Sequence, residues 1–373
     1  MTTIDKKNIQ MAEIPLPCNN LNETLNFFTD KLGFKIESIF PAEKPSLAVI
    51  NGYGIRIRLE PGNNQDYGSI NLYCSEPNSV ADGKIKLTAP NGTCINLIKD
   101  KPSLDIPKVK QTFVLTKVKA SDQWSEGRAG MWYRDLIPDR QGGYVVASHI
   151  RILDGGPVPD YAHYHKILFQ MIYCYKGWAR LVYEDQGEPF VIEEGDCVLQ
   201  PPQIRHQVLE SSPGMEVIEL TCPADHETCV DHEIKLPTSS VDPQRLFNGQ
   251  HFIRHEFAKA EWKPWRMEGF EARDIGIASA TDGLAGVRVA RFVGQPHPEF
   301  VSHNADLLFI FILNGSAELN CDKIDPELLT AGDSFIVPSN MKHSLSKCSK
   351  DMELLEVALP AVFNTTHHTK GVG

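Results

Sequence analysis

Two halves of this chain repeat each other at a nearly constant spacing. Arg134-Asp-Leu returns as Arg273-Asp-Ile, Gly156 as Gly294, His165 as His303 and Gly177 as Gly315. Gly195-Asp-Cys-Val-Leu-Gln-Pro201 returns as Gly332-Asp-Ser-Phe-Ile-Val-Pro338, and His206 returns as His343. The offset stays between 137 and 139 throughout. A register that drifts so little marks one structural unit used twice. From about residue 110 onward the landmarks are separated by short extended runs, broken by Gly, Pro and Asp, without a long helical pattern. That texture predicts an all-β sandwich or barrel. Two copies of one β-barrel are therefore expected, joined by a polar connection between about 225 and 264.

The first copy carries the chemistry. His163 and His165 stand at i and i+2 on an extended stretch, so both side chains leave the same face. Gln170 follows five residues later, and His206 comes just after the turn at Pro201-Pro202. A lone buried histidine is ordinarily a hydrogen-bonded core residue. Three imidazoles converging with an amide oxygen instead predict a metal site. The second copy keeps only His303 and His343; Val301 and Leu308 stand where His163 and Gln170 would be. Two imidazoles are too few for tight chelation unless His297, Glu299 or Asp306 joins them, so no metal is expected there.

Gly156, His163, His165, Gln170 and Gly177, followed by Gly195, Pro201 and His206, resemble the two motifs of the cupin superfamily. The duplication makes the chain similar to a bicupin, over about 250 residues. The resemblance implies two jelly-roll barrels, with His163, His165, Gln170 and His206 as ligands of one divalent metal inside the first. Fe(II) is favoured, with Zn, Ni or Mn as alternatives. Gln170 stands where the family usually places Glu; an amide brings no negative charge and cannot act as a base. The ion would keep its full charge and bind an anionic or enolisable oxygen ligand. Oxalate-processing relatives rely on the missing carboxylate, which ranks oxalate decarboxylation low. Alternatively, Gln170 stands beside a three-histidine centre of the kind several oxygen-activating relatives use. The leading expectation is a dioxygenase-like enzyme acting on a small chelating organic acid, enol or phenol. A non-redox Zn or Ni isomerase, cyclase or lyase is the second reading, and a binding or scaffold protein without turnover the third.

Further polar residues are candidates for work on the substrate. His149 and Arg151 share one face of the strand before the motif; turned inward they could bind a carboxylate, turned outward they would be solvated. Glu210 shares parity with His206 and could reach the surroundings of the metal. Tyr173 and Tyr175 have the opposite parity to Gln170 and are expected to pack outward. Cys222, His226, Cys229 and His232 cluster in sequence, but their spacing matches no common zinc pattern.

The first hundred residues read differently. A strand at Ile9–Leu16 precedes Leu21, Leu25, Phe28 and Leu32 at helical spacing, with Asn20 or Asn22 as N-cap and Gly33 as the stop. Extended runs follow at 35–40, 46–50, 55–59 and 69–74, then a hairpin around Ala89-Pro-Asn-Gly92. This is α+β by pattern. Cys18 to Phe34 and Ala89 to Leu97 resemble the glyoxalase and bleomycin-resistance family. Glu13 and Asn96 fall on that family's metal positions; the departure at Asn96, with the lack of an obvious helix in the second half, implies a module without metal. The expected division is 1–105, 106–240 and 241–373, a mainly β protein led by a small α+β module. The net charge of −11 argues against nucleic acid or an anionic membrane as partner. No apolar run is long enough to span a bilayer, the start lacks a signal-peptide core, and nine cysteines lie scattered without a framework. A cytoplasmic homodimer acting on a small molecule is expected.

Overall fold

The computed structural model describes residues 8–18, 20–31, 33–52, 54–61, 69–88, 94–100, 104–118, 124–294 and 299–368. The chain is mainly β and falls into two compact units. One comprises Met1–Asp105, Tyr161–Lys166 and His226–Glu233; the other comprises Ile106–Asp160, Ile167–Asp225 and Ile234–Gly373.

In the first unit, strand Ile9–Pro17 runs parallel to Ile55–Glu60 on one side and antiparallel to Ser69–Cys74 on the other. Helix Leu21–Asn26 continues as a π-helical turn, Phe27–Lys31. Asn20 caps it by accepting from the Glu23 amide at 3.2 Å, and Gly33, at φ +73°, ends it. The helix lays Leu21, Leu25 and Phe28 on Ile50, Ile57 and Leu59. One short turn of helix, Pro77–Val80, forms in the later part of this unit, where sequence periodicity shows none because four residues are too few to display it. The expected hairpin tip at 89–92 lies outside the described residues; its flanks, Lys86–Thr88 and Cys94–Lys99, pair antiparallel. Two segments from far along the chain extend the sheet. Thr228–Val230 pairs with Lys35–Phe40, and His163–His165 pairs with Thr228–Val230.

The second unit holds two seven-stranded sheets of matching design. The first is centred on Phe169–Lys176, Met215–Cys222 and Val146–Ile152, the second on Leu307–Asn314, Glu353–Leu359 and Gly286–Phe292. Alternation along each strand divides its side chains between two cores. Phe169, Met171, Tyr173 and Tyr175 share one core with Phe309, Phe311, Leu355 and Val357 of the other sheet. The opposite faces line the two barrel interiors, one around Ile150, Cys174, Val198 and Val217, the other around Ala290, Ile310, Phe335 and Leu354.

Two of the repeat landmarks, the arginine Arg134/Arg273 and the Gly-Asp pair Gly195-Asp196/Gly332-Asp333, form the clasp between the barrels. Val114–Thr116, which precedes the first barrel, pairs with Ser334–Ile336 of the second. Reciprocally, Ile253–His255 pairs with Cys197–Leu199 of the first. Buried Arg134 donates to the Gly332 carbonyl at 2.7 Å, and its counterpart Arg273 donates to the Gly195 carbonyl at 2.9 Å. Asp333 accepts from the Val118 amide and Asp196 from the Phe257 amide, both at 2.8 Å, so each acid anchors the end of the exchanged strand. Only glycine serves at the turns. Gly332 lies at φ +90°, and a Cβ there would meet Val118 Cγ2 at 2.4 Å.

Candidate metal centre

Strand His163–His165 places both imidazoles on one face, with Tyr164 between them on the other, as the two-residue period requires. His206 opens strand His206–Ser211 directly after the Pro201–Ile204 turn. His163, His165 and His206 are all buried, and one ligating atom from each lies within 4.8 Å of the others. Each Nδ1 is engaged: His163 with the Tyr161 carbonyl at 2.8 Å, His165 with Thr228 Oγ1 at 3.0 Å, and His206 with the Ile204 carbonyl at 3.0 Å. An Nδ1–H donating outward sets the tautomer that turns Nε2 into the ligating nitrogen. Burial holds the His206 imidazole down at about 4, against a smaller upward pull from its bond to Ile204, so it is neutral at pH 7.

Gln170 occupies the barrel-1 face of its strand, opposite in parity to Phe169 and Met171. It is fully buried, and neither its Oε1 nor its Nε2 has a hydrogen-bond partner in the protein. Two residues that sequence reading missed accompany it. Thr221 is its cross-strand neighbour and also has an unpartnered hydroxyl. Gln200, whose amide N–H bonds the Gln170 carbonyl at 3.0 Å, points its side-chain Nε2 at His206 Nε2, 2.7 Å away, and leaves Oε1 unpartnered. The signal for both was available in the repeat. Barrel 2 has Leu308, Ala358 and Val337 at the matching places, and Leu308 pairs with Ala358 as Gln170 pairs with Thr221. One barrel keeps a polar interior wall where the other has made it apolar.

The remaining candidates go elsewhere. His149 and Arg151 belong to the face between the barrels, not to the interior. His149 accepts from Arg134 at 3.0 Å, donates to Glu216 at 2.7 Å, and packs its ring on Phe311. Burial depresses its pKa most, partly offset by Glu216. The Arg151 guanidinium lies 3.9 Å above the Trp124 ring. Glu210 is displaced by a β-bulge. The pairing of Trp178–Tyr183 with His206–Ser211 slips by one residue between Arg180 and Leu181, so Val208 faces the core while Glu210 turns outward to Arg180 at 3.2 Å. Parity counted from His206 fails across that slip. Tyr173 and Tyr175 face away from Gln170 into the shared core, where Tyr173 accepts from Arg273. Cys222 is in the same core, and His232 bonds the Ile36 carbonyl, so the four-residue cluster near 222–232 is dispersed.

In barrel 2, both nitrogens of His303 are spent on backbone, donating to Val337 O at 2.9 Å and accepting from Ala305 N at 3.2 Å. Backbone groups hold both nitrogens in place, whereas the His206 Nε2 lone pair meets the side chain of Gln200. His297 lies outside the described residues. In the first unit, Glu13 accepts from Arg56, Arg58 and Tyr73, and Asn96 donates to Asn71 at 2.8 Å. Two guanidiniums on one carboxylate already balance its charge.

No protein-family model matches the chain, and no curated protein sequence matches it. Solved structures do. A point variant of Bacillus subtilis oxalate decarboxylase is similar with a TM-score of 0.51 at 14% identity, over 71% of this chain and 81% of that one. A deletion variant of the same enzyme gives 0.51 at 15% identity, with the same coverage of 71% and 81%. A third structure of that decarboxylase, studied for its Mn(II) centres, gives 0.50 at 14%, over 71% and 81%. At such identity the likeness is one of fold, and the fold is a pair of cupin-type jelly-roll barrels.

Proposed function

We propose that this protein is a mononuclear metal-dependent cupin enzyme, with one divalent ion held by His163, His165 and His206 and faced by Gln170. The observation that carries the reading is the set of three buried imidazoles whose Nδ1 atoms are all tied to acceptors outside the centre. Three converging imidazoles, with an orphaned amide in the same barrel, fit a first-row cation. Such an ion supplies Lewis-acid or redox chemistry to an oxygen ligand. The chain's own residues orient it: Thr228 and the Tyr161 and Ile204 carbonyls fix the rings, and the apolar interior around Cys174, Val198 and Val217 limits water. No carboxylate stands at the Gln170 position, so substrate charge is left to balance the ion. We take the substrate to be a small chelating acid, enol or phenol, the ion to be Fe(II), and the reaction to be an oxidation by dioxygen. The first unit is read as a glyoxalase-like support without metal of its own.

The test is metal content together with oxygen uptake. Protein reconstituted with Fe(II) should consume dioxygen with acetylacetone or catechol, and His165→Ala should abolish this. A second reading draws on the Mn(II) centres of the decarboxylases that share the fold. If Mn(II)-loaded protein releases carbon dioxide from oxalate with no oxygen uptake in any assay, the oxidase reading fails and that one replaces it.

A further inference from the structure

Packing does not account for Gln200. It follows strand Cys197–Leu199, and alternation from Val198, which faces the barrel-1 interior, turns its side chain the same way. Its amide N–H bonds the Gln170 carbonyl at 3.0 Å, so its backbone is tied to the neighbouring strand. The Pro201–Ile204 turn then brings His206 back beside it. Gln200 is 1% exposed, and the second barrel does without it, having Val337 at the matching place. A position that packs as valine in one copy holds an amide with an unpartnered Oε1 in the other. Burying such an end is costly, and packing alone does not select it.

The other end of the amide points at the centre. His206 donates through Nδ1 to the Ile204 carbonyl, which leaves Nε2 as an acceptor, and Gln200 Nε2 donates to it at 2.7 Å. An ion on His206 takes that same lone pair, so the N–H cannot stay on it. Gln200 then either withdraws as a competitor or turns about its last torsion and presents Oε1 from the same place. That torsion has two broad, nearly equivalent settings, and the carbonyl oxygen has lone pairs to give where the NH2 group has only donors. Distance favours the second course. Two ligand atoms at ~2.1 Å from one first-row ion stand about 3 Å apart, and the end of Gln200 lies 2.7 Å from His206 Nε2. The atom left without a partner is thus the one an ion can use.

We propose that Gln200 is the fourth protein ligand of the barrel-1 centre, giving Oε1 to the ion alongside His163, His165 and His206. The inference rests on the metal reading above. Mn(II) is the probe, because it prefers oxygen to thioether ligands and its free aqueous ion is counted directly by electron paramagnetic resonance. Titration of the full chain should show one tight site that His165→Ala abolishes. Gln200→Met, which keeps the length and removes the carbonyl, should weaken Mn(II) at least tenfold. Gln200→Glu, which restores an oxygen at the same reach, should bind at least as tightly as wild type. If Gln200→Met does not fold by circular dichroism, Gln200→Asn takes its place; it is one methylene too short and should show the same loss. Should that variant bind Mn(II) as tightly as wild type or tighter, while His165→Ala still abolishes binding, Gln200 is a competitor. This inference is then overturned and the metal centre stands. Wild type that binds neither Mn(II) nor, under argon, Fe(II) overturns both.

Discussion

Gln170 sits at full burial with both amide atoms unpaired, whereas its counterpart Leu308 is apolar. Leaving a buried polar group unpaired costs about 1–3 kcal/mol. Gln170→Leu should therefore raise the urea midpoint of the metal-free protein while lowering its metal affinity, two opposite shifts measured on one variant. A purely structural Gln170 would move only the first. Thr228 is the complementary case, because it holds His165 through Nδ1 at 3.0 Å, the nitrogen opposite the one left to ligate. Thr228→Val should weaken the metal by roughly 10–100-fold in a calorimetric titration, with the fold retained. His343 makes a pH prediction. Its pKa falls from 6.5 to about 3 on folding, so the unfolded chain takes up a proton that the folded chain refuses. The stability contributed by the neutral ring is complete above pH 6.5 and drains away as pH falls from there toward 3. Between pH 7 and 5 the loss should be about 2 kcal/mol, at ~1.4 kcal/mol per pH unit. Urea midpoints of wild type and His343→Gln at the two pH values should show the smaller drop in the variant.

At the scale of elements, the exchanged strands explain why Gly-Asp recurs in both copies. Asp333 holds the Val118 and Thr330 amides, each at 2.8 Å, and Asp196 holds those of Phe257 at 2.8 Å and Glu193 at 3.1 Å. Either Asp→Ala change strands two backbone donors and should cost about 2–4 kcal/mol. Hydrogen exchange should quicken first in 114–116 for Asp333→Ala and in 253–255 for Asp196→Ala. If both variants open the same strand, the reciprocal clasp is wrong. In the first unit strand positions were legible from alternation and breakers: 35–40 and 69–74 coincide with the reading from sequence. The bulge beside Glu210 was not, because a one-residue slip is set by how Trp178–Tyr183 pairs with His206–Ser211 and leaves no mark in either segment alone.

For the whole molecule, the core shared by the two seven-stranded sheets ties the barrels into one body. Phe311 is fully buried there, touching Tyr175 and His149 edge-on. Phe311→Ala should destabilise the fold by roughly 3–5 kcal/mol. It should also lower the cooperativity of urea unfolding, because the two barrels would no longer melt together. The sequence by itself determined the duplication, the β architecture and the three histidines, since a repeated offset and a His-x-His period are properties of order along the chain. It also singled out Gln170 in the same barrel and marked barrel 2 as depleted. Only the tertiary structure decided which face each strand shows to which core. That choice moved His149 and Arg151 out of the barrel interior and brought Thr221 and Gln200 in. Facing is settled by pairings between segments tens of residues apart, and no local pattern records them.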